Sequence, residues 1–142
     1  MNRITRLPTL LLFALMTTLS ACKDGWLSSG GGELAGSRWR LDGWSVSSLD
    51  ASDFTITATF KAREIGGTSA VNQYGGSYLA EGGEFSTRDM SMTEIAGPEP
   101  AMRAERIYMR LLRDARQYRR TAERLVLMDA NGNDLLYFAP VP

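Results

Sequence analysis

The chain has 142 residues, 44% of them hydrophobic, and a formal charge of zero at neutral pH, a size that suits one domain. It holds no histidine, which excludes histidine bases, histidine metal ligands and a Ser–His–Asp triad. Its single cysteine excludes an intramolecular disulfide and a thiolate zinc site, and the net −2 of residues 23–142 leaves no footprint for nucleic acid.

Met1–Ala21 reads as a secretory signal: Arg3 and Arg6 form a positive start, and Leu10–Leu19 is an apolar stretch too short for a comfortable membrane span. The run Leu19-Ser20-Ala21-Cys22 reads as a bacterial lipobox, predicting cleavage before Cys22 and acylation of its thiol. The alternative is an ordinary signal followed by a free cysteine. Lys23 favours the periplasmic face of an outer membrane. Residues 22–36, rich in Gly and Ser, are expected to be the lipidated end and a flexible tether, with the domain proper over 37–140.

In the domain, Ser37–Trp44 predicts a first strand. Phe54–Phe60 alternates Phe54, Ile56, Ala58 and Phe60 against three threonines, the pattern of a strand with one buried face. Ile65–Val71 is a short extended run. Asn72–Gly76 predicts a turn, with Gly75 and Gly76 free to take positive φ, and Ser77–Ala80 continues as a strand. Gly82-Gly83 is a further turn before a strand over Glu84–Glu94.

The one strong helix is predicted over Glu99–Ala115, started by Pro98 and Pro100. Ala101, Ala104, Ile107, Tyr108, Leu111, Leu112 and Ala115 share a face that should pack on the sheet. Strands over Tyr118–Thr121, Leu125–Asp129 and Asp134–Ala139 follow, the last two joined through Asn131-Gly132. The sum is an α+β domain of antiparallel strands with one helix.

Residues 103–124 hold eight arginines and three acids, net +5, whereas residues 24–100 carry net −6. Arg103, Arg106, Arg110 and Arg113 fall opposite the apolar face of the helix. Arginine suits bidentate contact with carboxylate or phosphate. This row is therefore either a solvated face or a docking surface for an anionic partner or lipid headgroups. Asn72, Tyr74 and Tyr78 are either structural or the lip of a binding site. Glu94, Glu99 and Glu105 favour the helix start electrostatically, and nothing in their spacing points to catalysis.

A family pattern runs through Trp39…Trp44, Gly67…Asn72-Gln-Tyr74-Gly-Gly76-Ser-Tyr78, Thr93-Glu-Ile-Ala-Gly97, Glu105 with Tyr108, and Leu135-Leu-Tyr-Phe138. In these residues the chain resembles the META domain, HslJ-like family of bacterial envelope proteins, over about residues 34–139. It departs from that pattern at Ala70, where the family has Gly, and at Val71 and Gly97, where it has two cysteines. Joint loss of both cysteines is what two neighbouring positions would show.

The resemblance implies a curved antiparallel sheet or partly open β-barrel with one packed helix. It also implies a likeness to pilot lipoproteins of type III secretion, links to heat-shock and drug-tolerance phenotypes, and no established enzymatic reaction. Two functions stay open. One is a non-catalytic envelope interaction or stress-tolerance role, using the arginine row or an open sheet edge. The other is a small-ligand or lipid binder that holds an apolar compound in the barrel interior among Phe54, Phe60 and Tyr78. The chain is expected to need no cofactor, to be a monomer, and to meet the membrane through acylated Cys22.

Overall fold

Period-two alternation builds most of the molecule. The computed structural model describes residues 32–45 and 49–142. Met1–Ala21, the lipobox and Cys22 lie outside them. The strands are β1 (Arg38–Trp44), β2 (Thr57–Phe60), β3 (Glu64–Thr68), β4 (Gln73–Glu81) and β5 (Glu84–Met92). Helix α1 (Glu99–Asp114) follows, then β6 (Gln117–Arg120), β7 (Leu125–Met128) and β8 (Asp134–Pro140).

Each strand pairs antiparallel with the next, and β8 returns to β1, so the sheet closes into a ring with α1 inserted between β5 and β6. This is the α+β curved sheet with one packed helix that the sequence predicts. The seam between β5 and β6 is thin. Glu84 pairs with Gln117, supported by bonds from Phe85 N to Arg116 O and from Tyr118 N to Gly83 O. Over the rest of β5 the two strands do not pair, and α1 occupies that opening, packing against β5 and β8.

The inward residues of β2, Ala58 and Phe60, are buried, as is Ile56 just before it. They join Trp39, Leu41, Tyr108, Leu112, Leu125, Leu127, Leu136 and Phe138 in one core. Burying each large apolar side chain stabilises the fold by roughly 1.5–3 kcal/mol. The rings interlock edge to face: Phe60 on Tyr78 at 5.0 Å between centroids, Tyr74 on Tyr108 at 5.5 Å, and Tyr108 on Phe138 at 6.4 Å. The interior considered above as a ligand cavity is thus occupied by side chains.

Two expectations need correction. Residues 73–76 are not a turn but the start of β4; the turn is Ser69–Asn72, closed by Ser69 N donating to Asn72 O at 2.8 Å. Close strand approach, not a turn, is what requires glycine at 67 and 76. A Cβ on Gly67 would stand 2.1 Å from the Thr57 carbonyl oxygen, and one on Gly76 would meet Met90 and the Arg88 carbonyl below 3.0 Å. The positive φ in this region falls on Ala70, at 91°.

Residues 32–36, assigned above to the tether, belong to the fold. Leu34 is fully buried and Gly36 N donates to Phe60 O at 2.7 Å. Glu33 accepts a hydrogen bond from the Tyr118 hydroxyl at 2.7 Å. This segment covers the end of the barrel that carries the β2–β3 and β4–β5 turns.

Candidate docking surface

Helix α1 begins at Pro98 and Pro100, past a short extended segment that follows β5. Pro98 stands at the N-cap and Met102 N donates to its carbonyl at 3.0 Å. Glu99 in the first turn and Arg113 in the last both favour the helix dipole. Ala104, Tyr108, Leu111 and Leu112 are buried as the periodicity predicts, while Ala101 and Ile107 are half-buried. Met109 and Glu105 are buried too, and sequence periodicity missed both.

Glu105 is the polar pin of the helix. Its Oε2 accepts from the Ser69 hydroxyl at 2.7 Å and from Asn72 N at 2.8 Å, and its Oε1 accepts from Asn72 Nδ2 at 2.9 Å. Burial alone would raise its pKa. The hydrogen bonds from Ser69, Asn72 and the Val71 backbone outweigh burial and hold the carboxyl below its ordinary value. Asn72 Oδ1 accepts from Ile95 N at 2.7 Å and the Thr93 hydroxyl at 2.8 Å, so one side chain joins the β3–β4 turn, the strand exit and the helix.

The residues considered as a binding lip are therefore interior. Asn72, Tyr74 and Tyr78 are only 2%, 5% and 6% exposed. The Tyr74 hydroxyl donates to Thr57 O at 2.8 Å and meets the Tyr108 hydroxyl at 2.6 Å; the Tyr78 hydroxyl donates to Lys61 O at 2.7 Å. Burial pushes the Tyr108 phenol well above its ordinary pKa, with the neighbouring Tyr74 adding to the rise. Both phenols are therefore neutral and structural.

This pinning decides what faces outward. Arg103, Arg106, Arg110 and Arg113 are all exposed. At 100° per residue they fall within an arc of roughly 80° and span about 15 Å of helix. Arg106 reaches Glu99 at 3.2 Å, a pair whose side chains are 60% and 66% exposed, and such pairs are worth about 0–1 kcal/mol.

The later arginines differ in reaching residues outside their own helix or in capping its end. Arg116 Nη1 donates to Arg113 O at 2.6 Å and Ala115 O at 2.7 Å. Arg119 pairs with Asp134 at 3.6 Å and Arg124 with Asp42 at 3.4 Å. Arg120 lies over the Trp39 ring and donates to the Glu33 carbonyl. Net charge by segment could not separate the two groups, because the partners of Arg119, Arg120 and Arg124 come from β1, β8 and the entering chain.

Two open grooves lie elsewhere. One, of about 610 Å³, is bordered by Lys61, Glu64, Gly66, Gly75 and Asp89; the other, of about 600 Å³, lies at the β5–β6 seam beside Leu79, Phe85, Arg116 and Tyr118. Among the described residues no group of three or more carboxylates is placed to hold a metal ion.

A family model described as the META domain matches residues 32–141. No curated protein matches the chain. An NMR structure of a protein from Burkholderia xenovorans is similar at 25% identity, covering 76% of this chain and 83% of that one, with a TM-score of 0.64. A second NMR structure shares the fold at 21% identity, 73% and 89% coverage and a TM-score of 0.57. A crystal structure of a DUF4847 family protein from Bacteroides vulgatus ATCC 8482 shares it at 15% identity, 75% and 94% coverage and a TM-score of 0.56. The positions at which this chain departs from the resemblance prove to be neighbours: a Cβ on Gly97 would stand 2.9 Å from both Val71 methyls.

Proposed function

The chain belongs to the META domain family, and from that premise we propose that it is a non-catalytic, lipid-anchored module of the cell envelope. Acylated Cys22 holds it to the membrane, on the periplasmic face of the outer membrane, and the arginine row of α1 docks an anionic partner. The observation that carries this reading is the exposed row itself. Four arginines share one arc of a helix whose opposite face is pinned by Glu105 and Tyr108, and among the described residues the one ion pair of the row, to Glu99, is solvent-screened.

The leader, the lipobox and the sole cysteine support the anchor. A non-catalytic role is supported by the missing histidine and by the structural use of Asn72, Tyr74, Tyr78 and Glu105. The interior-ligand alternative loses its support, because Phe60, Tyr78, Tyr108 and Phe138 fill the space it requires. A stress-tolerance role would follow from docking that keeps an envelope component in place.

Charge reversal tests the reading. Arg106→Glu/Arg110→Glu changes two exposed side chains and should leave the melting temperature within about 4 °C, since each surface change stays within roughly 0.5 kcal/mol. The variant should lose its association in the envelope. A folded variant that associates as well as the parent would remove the arginine row from the function.

A further inference from the structure

We propose that the row meets the anionic headgroup layer of the membrane to which the chain is tethered, so that the domain lies with α1 against the bilayer. This rests on the anchored docking reading above and names its partner.

Shape supports a surface rather than a pocket. The row runs along the outward ridge of a helix, and none of its four arginines borders either groove described above. A flat layer of phosphates can meet all four guanidinium groups at once, and each is suited to bidentate phosphate contact. Glu99 and Asp114 stand at the two ends of the row, and Glu105 is buried away from it, so the exposed strip from 99 to 116 keeps a positive excess.

Direction supports the membrane that carries the anchor. From Arg113 the row passes to Arg116, whose carbonyl accepts from Phe85 N at the barrel end where the chain enters. Arg120 then touches the Glu33 carbonyl of the entering chain itself. The C-terminal end of the basic strip and the first described residues of the entering chain thus lie at the same end of the barrel. Gly32 follows Cys22 by ten positions, a reach of at most about 35 Å. Helix α1 has 16 residues and is about 24 Å long, shorter than that reach.

Charge supplies the second signal. Acyl chains fix the protein to a bilayer, and a basic patch fixes how the domain lies on it. Each basic side chain near an anionic surface strengthens partition about fivefold, and salt weakens the effect within a Debye length.

The test uses residues 22–142 with Cys22→Ser, which retains the closed ring and its whole core but removes the acyl chains. Flotation is compared on vesicles of phosphatidylcholine alone and of phosphatidylcholine with one third phosphatidylglycerol, at low and at physiological salt. Binding is expected on the anionic vesicles, weaker at higher salt, and about 25-fold weaker for Arg103→Gln/Arg110→Gln. The off-row control Arg40→Gln/Arg88→Gln loses the same charge and should bind nearly as the parent does.

Equal binding to both vesicles, or equal loss in row and control variants, overturns the proposal. Binding to poly-glutamate with none to anionic vesicles overturns the lipid assignment and leaves the anionic docking reading standing. Binding to neither overturns both.

Discussion

Replacing Glu105 with alanine tests how the helix, and with it the arginine row, is held. Three neutral donors converge on the carboxylate: the Ser69 hydroxyl, Asn72 N and Asn72 Nδ2. Two of them have a second acceptor, Ser69 Oγ at the Asn72 carbonyl (2.9 Å) and Asn72 Nδ2 at the Ile95 carbonyl (3.1 Å). Truncation therefore orphans chiefly the Asn72 N–H, at a cost of about 1–3 kcal/mol. Each lost bond to the charged group is worth roughly 1.5–3 kcal/mol, offset in part because the carboxylate need no longer be desolvated. The expected net loss is about 2–4 kcal/mol, a large share of the roughly 5–15 kcal/mol of a typical domain.

Urea unfolding should show a lower midpoint with an unchanged slope. Amide exchange over 99–114 should rise more than over β7 and β8, because the pin belongs to the helix. The pH dependence has a fixed sign. A carboxyl held below its ordinary pKa stabilises the fold above its unfolded value, about 4.3, and that stability is lost as pH falls through the folded value. The gap between the parent and Glu105→Gln should thus close on acidification. A Glu105→Ala midpoint equal to the parent's, with unchanged helix exchange, would refute the pin.

Three further outcomes follow from the same geometry. Ala70 sits at φ 91°, a region that favours glycine, so Ala70→Gly should stabilise the protein by about 0.5–1 kcal/mol in thermal unfolding despite the entropy glycine adds to the unfolded chain. A Cβ on Gly97 would lie 3.5 Å from Val71 Cβ, within the disulfide range, so Val71→Cys/Gly97→Cys should close a disulfide on oxidation and raise stability by about 3 kcal/mol; free thiols by mass spectrometry would contradict this. Tyr74 donates to Thr57 O, which makes Tyr108 the donor of their 2.6 Å hydroxyl pair; Tyr108→Phe should cost about 0.5–1.5 kcal/mol, read from the denaturation midpoint.

Local pattern in the sequence carried most of the elements and little of what joins them. The alternation ending at Phe60, the helix after Pro98 and the Asn131-Gly132 hairpin depend on neighbours within a few residues, and the fold keeps all three. Gly75 and Gly76 misled for the opposite reason. Glycine signals a turn locally, but at Gly76 the need for it comes from Met90 and the Arg88 carbonyl on the adjacent strand. Leu34 looked like part of a Gly/Ser tether because no nearby period marks it, although Phe60 and Tyr118 close around its segment.

Glu105 was visible as a family position, and its partners Ser69 and Asn72, more than thirty residues away, were not. Asn72, Tyr74 and Tyr78 stood out in the sequence, and the fold places all three in its interior. The outward arginines were legible from helical period alone. Their separation from Arg116, Arg119, Arg120 and Arg124 required the ring to close first.

The most direct test of the central claim places a photo-activated cross-linking residue at Arg103 or Arg110, and at Ser77 on the wall of β4 as a control, in the lipidated protein within its own envelope. Docking through α1 predicts adducts from the two helix positions, suppressed by Arg106→Glu/Arg113→Glu, and few from position 77. Equal adduct yields from the helix and from β4, unchanged by the charge reversal, would contradict it.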